Sequence, residues 1–337
     1  MGKRVRFHAF GGADVLKIEQ GETPAPDAGE VRIAVQAIGL NRADALWREK
    51  MYIEDAMLPA GLGNEAAGVI DAVGEGVEGL AAGDRVAVLP GAGQGRYPTY
   101  GDSILFPATH VVRHPGNLSA AQAAGAYMAY LTGYFPMFEM ARLQRGQSML
   151  VTGASSGTGI AALQMARAAG IRAIATTRTG AKRQALLDAG AAHVVVTQDE
   201  DVIGRVMALT DGRGVELVYD GVGGADLARL GDVVAHRGWY VLYGLSGGAE
   251  LAYPAIAQFR KSWRFHVYKV LEFTGAPTMG LPRDEAALGR ALAFVDAGLA
   301  DGSLQVHIDR AFALDDVVQA HQYLERAGHI GKVVLTV

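Results

Sequence analysis

A glycine- and serine-rich turn at residues 153–159 has the residue types that bind phosphate. It follows a short apolar run, residues 149–152, and precedes a helical stretch, residues 160–169, that stops at Gly170. Amides at a helix N-terminus lack intrahelical partners and attract anions, and Gly157 and Gly159 carry no Cβ atoms to block the approach. The stretch therefore predicts a strand, turn and helix that bind the pyrophosphate of a dinucleotide, although its spacing departs from G-x-G-x-x-G.

The next apolar run, residues 171–176, indicates which dinucleotide is bound. NAD-binding folds place an acid near the end of this second strand to accept from the ribose 2′-hydroxyl, but no acid occurs here before Asp188. Thr177, Arg178 and Lys182 instead offer a hydroxyl and two cations, which suit a 2′-phosphate. We expect NADP(H) rather than NAD(H); the alternative is that Arg178, Lys182 and Arg183 only form the solvated start of a helix.

The surrounding pattern predicts an α/β protein with two kinds of domain. Short strands with glycine turns before residue 118 favour a small β-rich, barrel-like domain. Later apolar runs alternate with helical segments and predict a doubly wound parallel sheet. The predicted strands are residues 149–152, 171–176, 193–196, 215–219, 238–243 and 263–267. Towards the C-terminus we expect a helix at 284–299, a strand at 305–308, a helix at 314–327 and a strand at 332–337.

Composition limits the function classes. The chain has 337 residues, a formal charge of −4 and no cysteine, so disulfides, thiolate nucleophiles and cysteine-ligated metals are excluded. No basic run favours nucleic acid. No apolar segment follows the basic N-terminal residues, so we expect a cytoplasmic protein. Residues 115–138 are uncharged up to Phe138, but their prolines and alanines predict a buried helix rather than a membrane span.

Motifs along nearly the whole chain resemble the medium-chain dehydrogenase/reductase superfamily, in its zinc-independent quinone oxidoreductase (zeta-crystallin-like) branch. They are NRAD at 41–44, GNEAAG at 63–68, GDRV at 83–86, LTG at 131–133, SGTG at 156–159, VYDGVG at 218–223 and GKVVL at 331–335. Zinc-dependent relatives have a cysteine at the place of Asn41 and a histidine at that of Asn64. The resemblance therefore implies a metal-free mechanism with no metal ligands.

The resemblance also implies the domain layout, the assembly and the cofactor contacts. It implies a GroES-like catalytic domain from residues 1–124 and 269–337, a Rossmann cofactor domain from 125–268, an active site in the cleft between them, and a homodimer built by pairing cofactor-domain sheets. The cofactor-binding positions it implies are Asn41 and Thr132 near the nicotinamide, Ser156, Gly157 and Thr158 at the pyrophosphate, Arg178 and Lys182 at the 2′-phosphate, Gly221, Leu242 and Gly244 on the ribose side, Val267 beside the nicotinamide, and Lys332 from the C-terminal strand.

The sequence departs from the family pattern at two places, where Leu245 replaces a common asparagine and Leu46 a common tyrosine. Hydride transfer to a conjugated carbonyl needs a donor that stabilises charge on the oxygen. Tyr52 matches a family active-site tyrosine, so we expect it to donate the proton, with Tyr130 as a companion; either could instead be a packed tyrosine. Asp44 would orient Asn41 or Tyr52, or cap the following helix.

We therefore expect an NADPH-dependent, zinc-independent reductase of small-molecule quinones or α,β-unsaturated carbonyls. Reduction of enoyl thioesters and a non-catalytic NADP(H)-binding sensor or structural role remain alternatives, the latter because of Leu46. The turn also resembles that of short-chain dehydrogenases. Those enzymes need a Tyr-x-x-x-Lys pair, and no tyrosine of this sequence is followed by lysine at that spacing.

Overall fold

The computed structural model describes residues 2–326 and 328–337. The chain forms two compact units. The β-rich unit comprises the chain up to Met128, Leu271–Ala300 and Val306–Val337, and the parallel-sheet unit comprises Ala129–Val270 and Asp301–Gln305. No described helix is long and apolar enough to cross a bilayer.

The strands and helices are numbered here in chain order. The strands are β1 (Gly2–Phe7), β2 (Leu16–Gly21), β3 (Glu30–Gly39), β4 (Ala66–Val73), β5 (Arg85–Val88), β6 (Ser103–Pro107), β7 (Val111–Arg113), β8 (Ser148–Val151), β9 (Arg172–Thr177), β10 (His193–Val196), β11 (Val215–Asp220), β12 (Val234–Leu242), β13 (Arg264–Val267), β14 (Ile308–Ala313) and β15 (Lys332–Thr336). The α-helices are α1 (Arg42–Arg48), α2 (Ala120–Ala124), α3 (Tyr127–Tyr134), α4 (Gly157–Ala169), α5 (Arg183–Asp188), α6 (Val202–Leu209), α7 (Asp226–Leu230), α8 (Ala255–Lys261), α9 (Leu271–Thr274), α10 (Glu285–Asp301) and α11 (Val317–Glu325).

The parallel-sheet unit is a doubly wound six-stranded sheet in the order β10-β9-β8-β11-β12-β13. Every neighbouring pair is parallel. The expected Rossmann architecture is confirmed, and each of the six predicted strands occurs within a few residues of its expected bounds. These strands were readable because strands covered on both faces are continuous apolar runs. The strand order reverses between β8 and β11, which is where ligands bind in such sheets.

The β-rich unit contains a seven-stranded sheet in the order β14-β15-β3-β4-β5-β7, with β6 also paired to β3. Only the β14–β15 pair is parallel. β1 and β2 form an antiparallel hairpin. β15, the last strand of the chain, pairs with β3, so that Val334 lies opposite Gly39. This pairing brings the C-terminus beside the loop that follows β3.

Two C-terminal predictions need correction or restriction. The strand expected at residues 305–308 is wrong, because β14 begins only at Ile308 and continues to Ala313. Leu304 and Val306 are buried, so the apolar residues of this segment indicate burial of an extended stretch and do not indicate strand pairing. The helix expected at 314–327 consists of a 3-10 turn, Leu314–Asp316, and α11. Its expected end, Ala327, lies outside the described residues.

A buried ion pair joins β15 to the segment that precedes β4. Lys332 Nζ lies 2.5 Å from Glu65 Oε2, and the two side chains are 6% and 2% exposed. The pair has further partners, because Met128 N donates to Glu65 Oε1 at 2.9 Å and Lys332 Nζ donates to Leu40 O at 3.1 Å. Charges this deeply buried are tolerated only when they are paired and hydrogen-bonded.

Removing one partner of this pair should destabilise the protein strongly. We expect Lys332→Met to lower the free energy of unfolding by about 3–5 kcal/mol, because the Glu65 carboxylate stays buried without its cation. Adding Glu65→Gln to Lys332→Met should recover part of the loss, since the neutral amide still accepts from Met128. Denaturant unfolding followed by circular dichroism and tryptophan fluorescence measures both changes.

Lys3→Met is the matched control, because Lys3 pairs with Asp315 at a similar distance, 2.7 Å, but both side chains are largely exposed. Its effect should be within about 1 kcal/mol. Equal losses for Lys332→Met and Lys3→Met would contradict the role given to the buried pair.

Candidate functional site

The turn after β8 leaves two backbone amides at the start of α4 without intrahelical partners. Ser156 is the N-cap, and its Oγ accepts from Gly159 N at 3.1 Å. The amides of Gly157 and Thr158 precede this capped position in the first turn, where a helix has no carbonyl to offer them. α4 has 13 residues, so its N-terminus carries the usual partial positive charge. The predicted anion-binding residues Ser156, Gly157 and Thr158 are thus brought together at one helix end.

Two glycines keep the space around this helix end free of side chains. A Cβ atom at Gly159 would lie 2.6 Å from Ala154 O, so α4 approaches the turn after β8 this closely only with glycine here. A Cβ atom at Gly221 would lie 2.5 Å from Tyr243 Oη. Tyr243 in turn stacks on Tyr219 with ring centroids 4.0 Å apart. The residues present therefore fit a bound pyrophosphate at the switch point of the sheet.

Asp220, which the sequence analysis assigned no role, organises the loop after β11. It is fully buried, and Val222 N donates to its Oδ1 at 2.9 Å while Tyr240 Oη donates to its Oδ2 at 2.7 Å. Thr152 Oγ1 also donates to Asp220 and accepts from Gly221 N, so the carboxylate joins the loops after β8 and β11. The available signal was an acid at the end of a buried strand directly before glycine.

Arg178 and Lys182 follow β9, as predicted, but they differ in their surroundings. Lys182 Nζ donates to Ser155 Oγ at 2.9 Å and therefore reaches back to the turn after β8. The Arg178 side chain is exposed and has no ion-pair partner among the residues that the structure describes. Arg183, the other cation of this segment, is committed to Val194 O and Glu200. Of the two arginines, only Arg178 presents its full charge to solvent.

The remaining predicted residues of this unit lie at strand ends and on α3. Leu242 and Val267 are paired at the carboxyl ends of β12 and β13, with Leu242 buried and Val267 55% exposed. Gly244 approaches Gly221, since a Cβ there would lie 2.6 Å from Gly221 O. Thr132 is half-buried on α3.

Tyr130, also on α3, has a hydroxyl group that is hydrogen-bonded within the unit. It is buried and donates to Gln164 Oε1 at 2.7 Å. Gln164 is itself held by the backbone of Gln305, to which it donates at 2.9 Å and from which it accepts at 2.8 Å. The Tyr130 hydroxyl thus belongs to a closed internal network.

In the β-rich unit, Asn41 is held by the buried ion pair. Its Oδ1 accepts from Lys332 Nζ at 2.9 Å, and its Nδ2 donates to Glu65 Oε2 at 2.9 Å. An ammonium group has three N–H bonds, and Glu65, Leu40 and Asn41 use all three of those of Lys332. The geometry thus makes Lys332 the group that orients the Asn41 amide. Sequence analysis quoted Glu65 within a motif but missed this role, which only the pairing of β15 with β3 reveals.

Asp44 lies in the first turn of α1, is fully buried and accepts three hydrogen bonds. Asn41 N donates to Oδ2 at 2.9 Å, Tyr100 Oη donates to Oδ2 at 3.1 Å, and Asn64 Nδ2 donates to Oδ1 at 3.2 Å. Burial raises the pKa of Asp44 to about 6, while these hydrogen bonds and the charge of Lys332 act in the opposite direction. Asp44 both caps α1 and holds Asn41, two roles that the sequence left open.

Tyr52 is half-buried and packs edge-on against Trp47, with ring centroids 6.2 Å apart. Its hydroxyl makes no hydrogen bond to any part of the chain that the structure describes. Burial, and then the negative charges of Asp44 and Glu54, raise the pKa of Tyr52 above its ordinary value. The Tyr52 hydroxyl is therefore a weaker acid than that of an ordinary tyrosine, and it is available as a hydrogen-bond donor to another molecule.

Side chains that bind metals are not grouped in the described part of the chain. No three His, Cys, Asp or Glu side chains among residues 2–326 and 328–337 are placed to hold a metal ion. Asn41 and Asn64, the two positions at which the resemblance implies ligands in zinc-dependent relatives, use their amides within the Asp44 and Glu65 networks.

Comparison with known families and structures gives matches over both units. The family model described as alcohol dehydrogenase GroES-like domain matches residues 27–134, and the one described as zinc-binding dehydrogenase matches residues 189–335. A quinone oxidoreductase of Pseudomonas aeruginosa is 31% identical over 336 residues, which is 99% of each chain.

Two solved structures are similar over almost their full length. Escherichia coli quinone oxidoreductase complexed with NADPH has a TM-score of 0.90 and 29% identity, with 99% of this chain and 100% of that chain covered. The CurK enoyl reductase has a TM-score of 0.85 and 25% identity, with 99% of each chain covered. The motifs, the two folds and the full-length identity agree: the chain belongs to the medium-chain dehydrogenase/reductase superfamily, in its quinone oxidoreductase branch.

Proposed function

We propose that this protein is an NADPH-dependent reductase of quinones or α,β-unsaturated carbonyls that works without a metal ion. The observation that carries the proposal is the open N-terminus of α4, followed in sequence by an exposed Arg178 that has no ion-pair partner among the described residues. The first feature suits a pyrophosphate and the second a 2′-phosphate. The quinone oxidoreductase relatives, one of them solved with NADPH, support the same cofactor and a hydride-transfer activity.

The parallel-sheet unit supplies most of the expected cofactor contacts. Ser156, Gly157 and Thr158 would bind the pyrophosphate, and Arg178 with Lys182 the 2′-phosphate. Bound NADPH supplies the hydride for the reaction. The other positions proposed to contact the cofactor are Gly221, Leu242 and Gly244 on the ribose side, and Asn41, Thr132, Val267 and Lys332 towards the nicotinamide; Lys332 acts through the Asn41 amide that it holds.

The β-rich unit supplies the proton that must accompany each hydride. Tyr52 is the proposed donor, because its hydroxyl makes no hydrogen bond to the described part of the chain and is free to contact a substrate oxygen. Asp44 raises the pKa of Tyr52 through its charge and fixes Asn41 through its carboxylate. Tyr130 is the proposed companion residue. Its role is indirect, because its hydroxyl donates to Gln164 and holds that side chain in place.

Asn41 and Asn64 support the metal-free part of the proposal. Amides are poor substitutes for the thiolate and imidazole that bind zinc. In this chain both amides are also engaged with buried carboxylates, Glu65 and Asp44. A chelator should therefore leave turnover unchanged.

A second candidate is reduction of enoyl thioesters, which the similarity to an enoyl reductase favours. A panel of quinones, enones and one enoyl thioester, assayed by NADPH oxidation with chelator present, separates the two. Preference for the thioester would replace the proposed substrate class. Tight NADPH binding without turnover of any acceptor would instead indicate the sensor or structural role.

The homodimer is also a proposal. β13 is an edge strand of the parallel sheet, and α8 exposes Ile256 and Phe259, which are 67% and 88% exposed. An unpaired strand edge near exposed apolar side chains suits pairing with a second copy. Light scattering of the purified protein measures the assembly.

Arg178→Ala should raise the KM for NADPH by about 10- to 100-fold, the range of a lost charge-assisted hydrogen bond, and leave the KM for NADH nearly unchanged. Steady-state kinetics with both cofactors measures the two values. Arg183→Ala is the matched control, because that arginine is paired within the chain. Equal effects of Arg178→Ala on both cofactors would rule out the 2′-phosphate contact.

Tyr52→Phe should lower kcat by about 10²-fold or more, the contribution of a positioned acid, with little change in NADPH affinity. The KM for NADPH and a fluorescence titration give the affinity. Tyr323→Phe is the control, since its hydroxyl donates to Asp309 away from Asp44. An unchanged kcat for Tyr52→Phe would return Tyr52 to a packing role.

The raised pKa of Asp44, about 6, gives stability a defined pH dependence. Between about pH 4 and 6 the Asp44 carboxyl is protonated in the folded protein and ionised in the unfolded chain. Its contribution to the free energy of unfolding is therefore fully present below about pH 4 and is lost as pH rises through 6. The stability of the wild type relative to Asp44→Asn should therefore rise by about 3 kcal/mol from pH 7 to pH 4. Denaturant unfolding across this range measures the difference, and a constant difference would contradict the shift.

A further inference from the structure

Two hydrogen bonds lead from Asp44 through the core of the β-rich unit to His321, and a 4.0 Å gap separates His321 from a partly exposed carboxylate. Tyr100 Oη donates to Asp44 Oδ2 at 3.1 Å, and His321 Nε2 lies 3.2 Å from the same hydroxyl. On the other side of the ring, His321 Nδ1 lies 4.0 Å from Glu325 Oε1, and the Glu325 side chain is 25% exposed. These residues are far apart in sequence and meet only in the folded unit.

The directions of these hydrogen bonds fix the tautomer of His321. The Tyr100 hydroxyl gives its only proton to Asp44, so it must accept from His321, and Nε2 carries the imidazole proton. Nδ1 then has a free lone pair that faces the Glu325 carboxylate beyond hydrogen-bond distance. Both ring nitrogens are thus arranged for a proton to enter at Nδ1 while another leaves from Nε2.

This hydrogen-bonded chain is buried, and the neighbours of His321 on its own helix are apolar. Asp44 and His321 are 0% exposed and Tyr100 is 2% exposed. The neighbours of His321 on α11, Val317 and Ala320, belong to the apolar core of the unit. A purely structural need at this place would be met by apolar side chains at less cost in desolvation.

The charged groups around the chain come from several elements. Asp44 faces Lys332 from β15, together with the amide groups of Asn41 and Asn64. His321 faces Glu325 on its own helix and Arg48 from α1, and Arg48 Nη2 donates to the same Glu325 oxygen, Oε1, that faces His321 Nδ1. Burial, and then the positive charge of Arg48, lower the pKa of His321 to about 3, so the imidazole rests in its neutral form.

We propose that His321 and Tyr100 form a proton relay that connects Asp44 to solvent at Glu325. This inference deepens the proposed function, because each reduction needs one proton as well as one hydride. Tyr100 and His321 touch neither substrate nor cofactor in this scheme; they are positioning residues that act through Asp44 and its influence on Tyr52.

The relay conserves protons and involves no oxidation. A proton from solvent, passed by the Glu325 carboxyl, forms a new bond to His321 Nδ1. The Nε2–H bond of His321 breaks as its proton moves to Tyr100 Oη, and the former hydroxyl proton of Tyr100 moves to Asp44 Oδ2. Asp44 then releases one proton for each proton that Tyr52 donates. This last transfer needs a bridging water molecule, because the Tyr52 hydroxyl makes no hydrogen bond to the described part of the chain. A half-turn of the imidazole restores the resting tautomer.

His321→Gln tests the relay, because the glutamine amide can still donate to Tyr100 but cannot pass a proton on. We expect kcat to fall at least about tenfold, less than for a direct acid because His321 acts through Asp44, with an unchanged KM for NADPH. The solvent deuterium isotope effect should rise, and the isotope effect of 4-deuterated NADPH should fall towards unity. His8→Gln, a change at an exposed histidine, should alter none of these values.

His321→Ala adds a rescue test. It leaves a cavity of the size of the lost ring, so imidazole in the buffer should restore its kcat and should not restore that of His321→Gln. Loss of kcat in both variants with unchanged isotope effects and no rescue would overturn the relay and leave a packing role. Thermal unfolding of both variants shows whether each one folds. If His321→Ala does not fold, the isotope effects of His321→Gln decide whether the relay exists.

A readout without substrate separates the relay from the proposed function. In protein with 15N-labelled histidine, the His321 Nε2 proton should exchange with solvent measurably more slowly in Glu325→Gln than in the wild type. Equal exchange rates would overturn the relay. A wild-type protein that oxidises no NADPH but shows this difference would overturn the proposed reductase activity and retain the path.

Discussion

The buried ion pair between Glu65 and Lys332 is the constraint on which the β-rich unit depends. It joins the start of β4 to the last strand of the chain, and the same two groups fix both ends of the Asn41 amide. Because Lys332 has no unused N–H bond, Asn41 has one orientation in which all partners are satisfied. The fold and the orientation of a proposed active-site amide therefore rest on one electrostatic contact.

The parallel-sheet unit was predictable from sequence because its information is local. The run at residues 149–152, the turn and the helix are contiguous, and all six strands are short apolar segments separated by helices. The segment at residues 305–308 failed for an instructive reason: Leu304 and Val306 are buried in an extended but unpaired stretch, and burial alone does not create a strand. Periodicity predicts which face is covered and leaves the pairing partner unspecified.

The candidate site of the β-rich unit could be predicted only in part. The resemblance drew attention to Asn41, Asp44, Tyr52 and Lys332, and the structure joins three of them in one network. Tyr100 and His321 carried no local signal, since neither lies in a recognisable spacing with Asp44. Their meeting depends on the packing of α11 against α1, which no short window of sequence contains.

Burial shifts the pKa values of Asp44 and His321 in opposite directions, and in both residues it disfavours the charged form. It raises the pKa of the acid and lowers that of the base, so in both cases the neutral form is favoured. His321 therefore rests neutral, whereas Asp44 remains a carboxylate near neutral pH because it accepts three hydrogen bonds and faces the charge of Lys332. The unit thus contains two solutions to the same desolvation problem. One is the fixed ion pair of Glu65 and Lys332 that holds Asn41 in place, and the other is a hydrogen-bonded chain in which a neutral imidazole and a phenol support a single carboxylate.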